Sequence, residues 1–475
     1  MDAKMPTILE NIVRSRRHQL ADIASRIPGI ENSSLPRSQR SLELSLSQPG
    51  AQFILECKSS SPSLGLIRSE YRPGEIARVY SRYAAAISVL CEPSFFGGDY
   101  DHLATVSAST HLPVLCKDFI IDEIQITAAR YFGADAVLLM LSVLSDAEYR
   151  LLARRATELG MDILTEVVNA DEARRALHLG ARIIGVNHRN LHDLSIDLTR
   201  SARLREIIGD RAVVVAESGI RDHRTVRSLA AHSDAFLVGS QLTSQEDIDR
   251  ACRSLIYGDH KVCGLRSPQV AEVARAAGAR YGGLIVAPSS PRNVSRETSQ
   301  KVITNEPGLD YIAVTTDTEN WPAFDNEGFY AIQLHAPYQG SLEKEESLVQ
   351  RARDRYGDGL FVWRAVSMTS PQGPQLARNL APLVDLLVLD AHHGGSGLSF
   401  DWARVPNDIA HHCLLAGGIS ADHLDDALAV GTRGLDFNSG LEYPRGSAYQ
   451  HHKNAALIKD IFTSIRRYAN PLNPF

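Results

Sequence analysis

Two short stretches decide how this chain is read: VVVAESGI at Val213–Ile220 and CLLAGGIS at Cys413–Ser420. Each is an apolar run that stops on small residues and turns. Continuous rather than alternating apolar runs mark parallel strands covered on both faces. Working outward from the first stretch, similar runs begin at Gln52 (QFILECK), Ile87 (ISVL), Val114 (VLCK), Ala136 (AVLLML), Ile163 (ILTEV), Ile183 (IIGVN) and Ala235 (AFLVGS). Between them lie amphipathic stretches such as Ala147–Gly160 and Ala170–Gly180, apolar at helical spacing and stopped by glycine.

Eight such units predict an α/β protein of the (β/α)8 barrel type, with a doubly wound open sheet as the rival that periodicity leaves open. After Ala251–Asp259 the count restarts, at Lys261 (KVCGL), Tyr281 (YGGLIV), Tyr311 (YIAVTT), Ala331 (AIQLH), Phe361 (FVWRAV), Leu386 (LLVLD), Cys413 and Gly434 (GLDFNS). The expected fold is therefore two consecutive (β/α)8 TIM barrels, 1–257 and 258–475. Residues 1–50 form an N-terminal helical extension that covers a barrel end. Both opening stretches are the seventh strand of their own set.

The bulk numbers agree. A chain of 475 residues suits two domains of about 200–250 residues each. Apolar content of 44%, charged content of 22% and a net charge of −6 describe a soluble protein with no nucleic-acid or membrane surface. Six cysteines (Cys57, Cys91, Cys116, Cys252, Cys263, Cys413) form no CxxC pair, which points to a reduced, cytoplasmic protein. The N-terminus lacks a signal-peptide apolar core, and the longest apolar stretch, Ala136–Leu144, is far too short to span a bilayer. The pairs His392–His393, His411–His412 and His451–His452 would point to opposite faces of a strand, so no metal is expected. HHGGSG at His392–Gly397 lacks the acidic partner of a dinucleotide fingerprint and is read as a loop over the second site. Trp321, Trp363 and Trp402 are read as packing.

Barrel chemistry gathers at the carboxyl ends of the strands. In the first set those ends carry Glu56, Lys58, Lys117, Asp118, Glu166, Asn187, Arg189 and Glu217. Lysines and carboxylates sharing one mouth are costly unless paired, and as a group they shift one another's pKa. After strands seven and eight come small residues, Ser218-Gly219 with Gly239-Ser240, then Gly417-Gly418 with Ser439-Gly440. Without bulky side chains, backbone N–H groups can approach a phosphate. The repeated phrase thus predicts one phosphate cradle per barrel.

The strings ILECKSSSPSLG, LCKDFIID, LLMLSVL, LTEV, IGVNHRNL, AESGI and FLVGSQL resemble indole-3-glycerol phosphate synthase over nearly all of 1–255. KVCGL, YGGLI, SPR, IQLH, LLVLDAHHGGSG, LLAGGI and GLDFNSGLE resemble phosphoribosylanthranilate isomerase over about 258–475. Their order resembles the fused bifunctional enzyme of bacterial tryptophan synthesis. The resemblance implies phosphorylated anthranilate-sugar substrates, no cofactor and a single working chain. It makes Lys117 the acid for ring closure, Lys58 the holder of the substrate carboxylate and a proton donor in dehydration, Glu166 the base and Glu56 an orienting group, with the division between the lysines left open. Ser61, Asn187, Arg189 and Glu217 match substrate-binding positions, and Ser218, Gly219, Gly239 and Ser240 the phosphate loop. In the second half it makes Cys263 the base and Asp390 the acid of an Amadori rearrangement. Arg292 matches a substrate anchor through bidentate contact, with His335 and Asp436 lining or orienting, and Gly417, Gly418, Ser439 and Gly440 holding phosphate. Three departures stand out: AVTTDTEN at Ala313–Asn320, Ala336 for the usual glycine, and Arg364 for the usual lysine. The alternatives are a second barrel with another aminoaldose phosphate as substrate, or one that binds ligand without turnover.

Overall fold

The computed structural model describes residues 8–30, 35–62, 64–190, 194–319, 321–324, 327–391 and 399–467. The string His392–Gly397 and Asn320 lie outside them. Contacts divide the chain into two compact units, with the break between Cys252 and Arg253.

In the first unit the strands are β1 (Gln52–Cys57), β2 (Ala86–Leu90), β3 (Val114–Lys117), β4 (Ala136–Met140), β5 (Asp162–Val167), β6 (Ile183–Asn187), β7 (Val213–Glu217) and β8 (Ala235–Val238). β1 pairs in parallel with β2 (Ile54↔Ala86) and with β8 (Gln52↔Ala235), which closes the ring and rules out an open sheet. The second unit repeats the scheme with β9 (Lys261–Cys263), β10 (Tyr281–Ile285), β11 (Asp310–Thr315), β12 (Phe329–Leu334), β13 (Phe361–Ser367), β14 (Leu386–Asp390), β15 (Cys413–Leu415) and β16 (Gly434–Phe437). There β9 closes the ring by pairing with β10 and β16.

Side chains alternate along a strand, so residues two apart share a face. In the first barrel the apolar cluster holds Ile54, Leu115, Leu164, Ile183 and Val215. Two residues on, at the carboxyl ends, the same face carries Glu56, Lys117, Glu166, Gly185 and Glu217. The second barrel builds its cluster from Tyr281, Ile312, Ala331, Trp363, Leu386, Val388 and Leu414. The same step takes Val388 to Asp390, Ala331 to Gln333 and Gln333 to His335. An oily floor and a charged mouth are thus one strand pattern read two residues apart.

The extension divides its work between the two rims. Helix α2 (Leu42–Leu46) is capped by Ser41 and tied to Asp162, which accepts from the Ser41 hydroxyl (2.8 Å) and the Glu43 N–H (3.0 Å). Its Leu42 and Leu46 pack with Ala136, Ile183 and Ala235 at the strand starts, so α2 covers that end of the barrel. Helix α1 (Ile8–Ser25) reaches the opposite rim instead. Its buried Arg16 pairs with Asp118, just after β3, and Tyr100 donates to the same carboxylate at 3.0 Å. Asp118 therefore anchors the extension rather than facing the neighbouring lysine cluster. Among the described residues, no helix is long and apolar enough to cross a membrane.

Candidate active sites

At the mouth of the first barrel, Glu56 bridges two lysines: Oε1 lies 2.9 Å from Lys58 Nζ and Oε2 lies 3.4 Å from Lys117 Nζ. Lys117 also meets Glu217 Oε2 at 3.4 Å. Burial alone would raise the Glu56 carboxyl, but Lys117 and then Lys58 hold it below the usual carboxylate range. Burial would likewise lower Lys117, yet Glu56, Glu217 and Glu166 keep it firmly protonated. Glu217 behaves oppositely: burial pushes it up to about 8, against the pull of Lys117, so near neutral pH it mostly keeps its proton. Burial also raises Glu166, with Lys117 and the Asn187 side chain opposing. Glu166 Oε1 is buried with no hydrogen-bond partner among the described residues. Lys58 and Lys117 thus converge on the low-pKa Glu56 carboxylate, basic groups placed where an anionic substrate could meet them.

Two glycines make room for this cluster. A Cβ on Gly185 would sit 2.0 Å from Glu217 Oε1. A Cβ on Gly239 would sit 2.5 Å from Glu56 Oε1 and 3.1 Å from Lys58 Nζ, so this loop glycine lies against the Lys58–Glu56 pair. Ser218 and Gly219 both take positive φ (69° and 79°) and turn the chain sharply out of β7. His188, which sequence reasoning missed inside IGVNHRNL, holds that turn: Nδ1 lies 3.0 Å from the Ser218 carbonyl and Nε2 bonds Ser201 at 2.8 Å. Burial lowers its pKa, so it serves as a neutral strut. Ser240 opens the short helix that follows Gly239. Ser61 is buried in a two-residue hairpin strand, and Arg189 donates to the Leu194 carbonyl of its own loop at 3.2 Å.

In the second barrel Cys263, Arg292, His335, Asp390, Gly417, Gly418, Asp436, Ser439 and Gly440 all line one cavity of about 430 Å³. Asp390 Oδ1 accepts the Ala391 N–H at 2.7 Å, and Oδ2 lies 3.5 Å from His335 Nε2. Burial outweighs the Ala391 bond and brings the Asp390 carboxyl up to about 6. Burial raises the Cys263 thiol too, with Lys261 opposing. Gly417 and Gly418 hold positive φ (88° and 68°), and a Cβ on Gly440 would strike the Ile419 carbonyl oxygen at 2.0 Å. Arg292 is not an open fork here: its Nε and Nη2 grip Glu442 at 2.6 and 2.9 Å. Lys453 adds a third bond to Glu442 at 2.6 Å. Burial would raise Glu442, but Arg292 and Lys453 bring it down to about 2. Sequence reasoning missed Glu442, Lys453 and Lys261. The last stood in the quoted KVCGL, one alternation from Cys263.

Two of the three departures prove to be coupled. Arg364 is buried and grips Glu345 through Nε–Oε2 (2.8 Å) and Nη2–Oε1 (2.9 Å). Its Nη1 also donates to the carbonyls of Leu334 and Ala336 (2.9 and 2.8 Å). The arginine thus ties down the loop in which Ala336 replaces glycine. At the third departure Trp321 Nε1 donates to the Asp317 carbonyl at 2.8 Å, and Thr316 lines the cavity. Trp363 is buried edge-on against Tyr281, as packing. Among the described residues, no group of three or more His, Cys, Asp and Glu could hold a metal.

Two closed parallel barrels, each with a charged constellation at its strand ends, define a two-domain (β/α)8 enzyme. The indole-3-glycerol phosphate synthase model matches residues 9–255, and the N-(5'-phosphoribosyl)anthranilate isomerase model matches residues 260–463. The tryptophan biosynthesis protein TrpCF of Corynebacterium glutamicum is 58% identical over 467 residues, 98% of both chains. TrpCF of Salmonella typhi is 40% identical over 98% of this chain and all of its own. The chain belongs to this family of fused synthase–isomerases of tryptophan biosynthesis.

Gly185→Ala is expected to lower synthase turnover about 10²-fold, because displacing an active-site carboxylate by about 1 Å costs that much. Isomerisation in the same sample should be unchanged. Full synthase activity would mean that the Glu217 position is immaterial.

Proposed function

We propose that the second barrel converts N-(5-phosphoribosyl)anthranilate to 1-(2-carboxyphenylamino)-1-deoxyribulose 5-phosphate, and that the first barrel converts this ketose to indole-3-glycerol phosphate. In the isomerase, Asp390 gives a proton to the furanose oxygen and the ring opens to an imine. The Cys263 thiolate then takes the C2 proton. The C–H electron pair becomes the C1=C2 bond of an enolamine, which tautomerises to the ketone. A carboxyl at about 6 still carries protons near neutrality, which fits the acid role.

In the synthase, Lys58 holds the anthranilate carboxylate and Lys117 protonates the ketose carbonyl while the ring carbon attacks it. Carbon dioxide leaves, and the C–C electron pair it gives up restores the aromatic ring. The hydroxyl then departs as water with a proton from the lysine pair, while Glu166 removes a proton from the neighbouring sugar-derived methylene, whose C–H pair becomes the new ring double bond. Glu56, which ties both ammonium groups together, orients them. We assign the phosphates to the loops at Ser218-Gly219 and Gly239-Ser240, and at Gly417-Gly418 and Ser439-Gly440. Ser61, Asn187, Arg189, Arg292, His335 and Asp436 complete the substrate contacts in this reading, and the functional boundary falls at 257/258. Each site is built from its own barrel, so a single chain suffices. The buried free cysteines suit the reducing cytoplasm.

The observation that carries the reading is that two independent acid–base constellations lie at the strand ends of two closed barrels. The test is to give the purified chain freshly made phosphoribosylanthranilate. Anthranilate-type fluorescence should fall and indole-3-glycerol phosphate should accumulate. If the substrate persists while supplied carboxyphenylamino-deoxyribulose phosphate is consumed, the second barrel is not the isomerase proposed.

A further inference from the structure

We infer that Lys261 is a positioning residue for isomerisation, its ammonium setting the ionisation and the aim of the Cys263 sulfur. This rests on the reading of Cys263 as the base. Lys261 and Cys263 are the two ends of β9, separated by one alternation and therefore on the same inner face. The ammonium is wholly buried, and an unpaired buried charge is costly. A lysine ammonium has three donors. One goes to Gln333 Oε1 at 2.6 Å and one to Asp436 Oδ2 at 2.9 Å. The Cys263 sulfur lies beside the same ammonium and feels its charge.

The opposite wall is shaped to keep that pair together. A Cβ on Gly283 would stand 2.8 Å from Cys263 Sγ and 2.9 Å from Lys261 Cε, so sulfur and lysine stem share the space that this glycine leaves. The charged groups facing the sulfur are Lys261 on β9, Asp436 on β16 and Lys453 ahead of the last helix. Lys453 is itself bound by Glu442 and Asn438 (2.6 and 2.8 Å), which leaves Lys261 as the cation answering a new negative charge on sulfur. Only the thiolate can take the C2 proton. Lys261 favours that form, and Asp436, by claiming the same ammonium, opposes it. The two neighbours therefore push the thiol in opposite directions.

The experiment measures the pH dependence of iodoacetamide alkylation at Cys263 in the full chain, with the site identified by peptide mass spectrometry. Lys261→Met should move the alkylation midpoint up by about one pH unit or more, with isomerase kcat falling about tenfold at neutral pH as the thiolate fraction falls. Affinity for the reduced product analogue, read by calorimetry, should be retained. Asp436→Asn should move the midpoint down. An unchanged midpoint in both variants overturns the inference. If Lys261→Met no longer binds the analogue, Asp436→Asn decides alone: a downward shift supports the inference, and any other result overturns it. Isomerase activity surviving in Cys263→Ser would instead overturn the base assignment, while the midpoint shifts would still report the coupling.

Discussion

Lys117→Ala is expected to lower the synthase rate about 10²–10⁴-fold, the range for losing a positioned acid, with isomerisation intact in the same preparation. The structure also says why the variant should fold. Lys117 leaves behind Glu56, which keeps Lys58 at 2.9 Å, and Glu217, which at about 8 mostly holds its proton at neutral pH. Glu166 loses the charge of Lys117 but keeps the Asn187 side chain, so the penalty for breaking a buried ion pair is limited. Lys117 meets carboxylates at 3.4 Å on either side, loose contacts that leave an ammonium proton for a substrate carbonyl. The check is a steady-state assay with carboxyphenylamino-deoxyribulose phosphate beside the isomerase assay. A kcat reduced with KM little changed marks an interaction made in the transition state. Synthase turnover within tenfold of the parent would remove Lys117 from the acid role. If Lys58→Ala proved the more damaging substitution, the acid would pass to Lys58.

The fold was legible because both of its signals are local. Each strand is a continuous apolar run, and each run ends where chemistry-bearing residues begin. The edges were off by a residue or two, as at Ala86 and Phe329, where tertiary pairing rather than apolar content decides the start. What stayed hidden depends on closure of the barrels. Lys261 reads as an ordinary strand residue until β9 and β16 meet and bring Asp436, 175 positions later, to its ammonium. Glu442 and Lys453 are surface-like in sequence, yet they form one buried ion cluster with Arg292, 150 positions from Glu442. Arg16 looks like one basic residue among several on an exposed helix, yet it is buried against Asp118. Gly185 and Gly239 read as strand and turn glycines, and their use as clearance for Glu217 and for the Lys58–Glu56 pair appears only in three dimensions.

Cys263→Ser should abolish isomerisation to the limit of the assay while the variant still binds the reduced product analogue. Serine fills nearly the same volume, but its hydroxyl is far too weak an acid to supply an anion near neutral pH. The accompanying pH dependence is unusual in sign. Burial brings the proposed acid, Asp390, to about 6 and raises the proposed base, Cys263, above an ordinary thiol. The working form, protonated Asp390 with ionised Cys263, is then a minority at every pH. Below about 6 the carboxyl is protonated and the thiolate fraction grows with pH, so kcat/KM climbs. Above about 6 each further gain in thiolate is cancelled by loss of the Asp390 proton, and the rate levels off until the thiol itself titrates. The break near 6 therefore belongs to the acid rather than the base. Asp390→Asn should remove it, leaving a low residual rate that rises through neutrality. If the break survives in Asp390→Asn, another group sets it and the acid must be sought elsewhere in the cavity, with His335, 3.5 Å from Asp390 Oδ2, the first to replace.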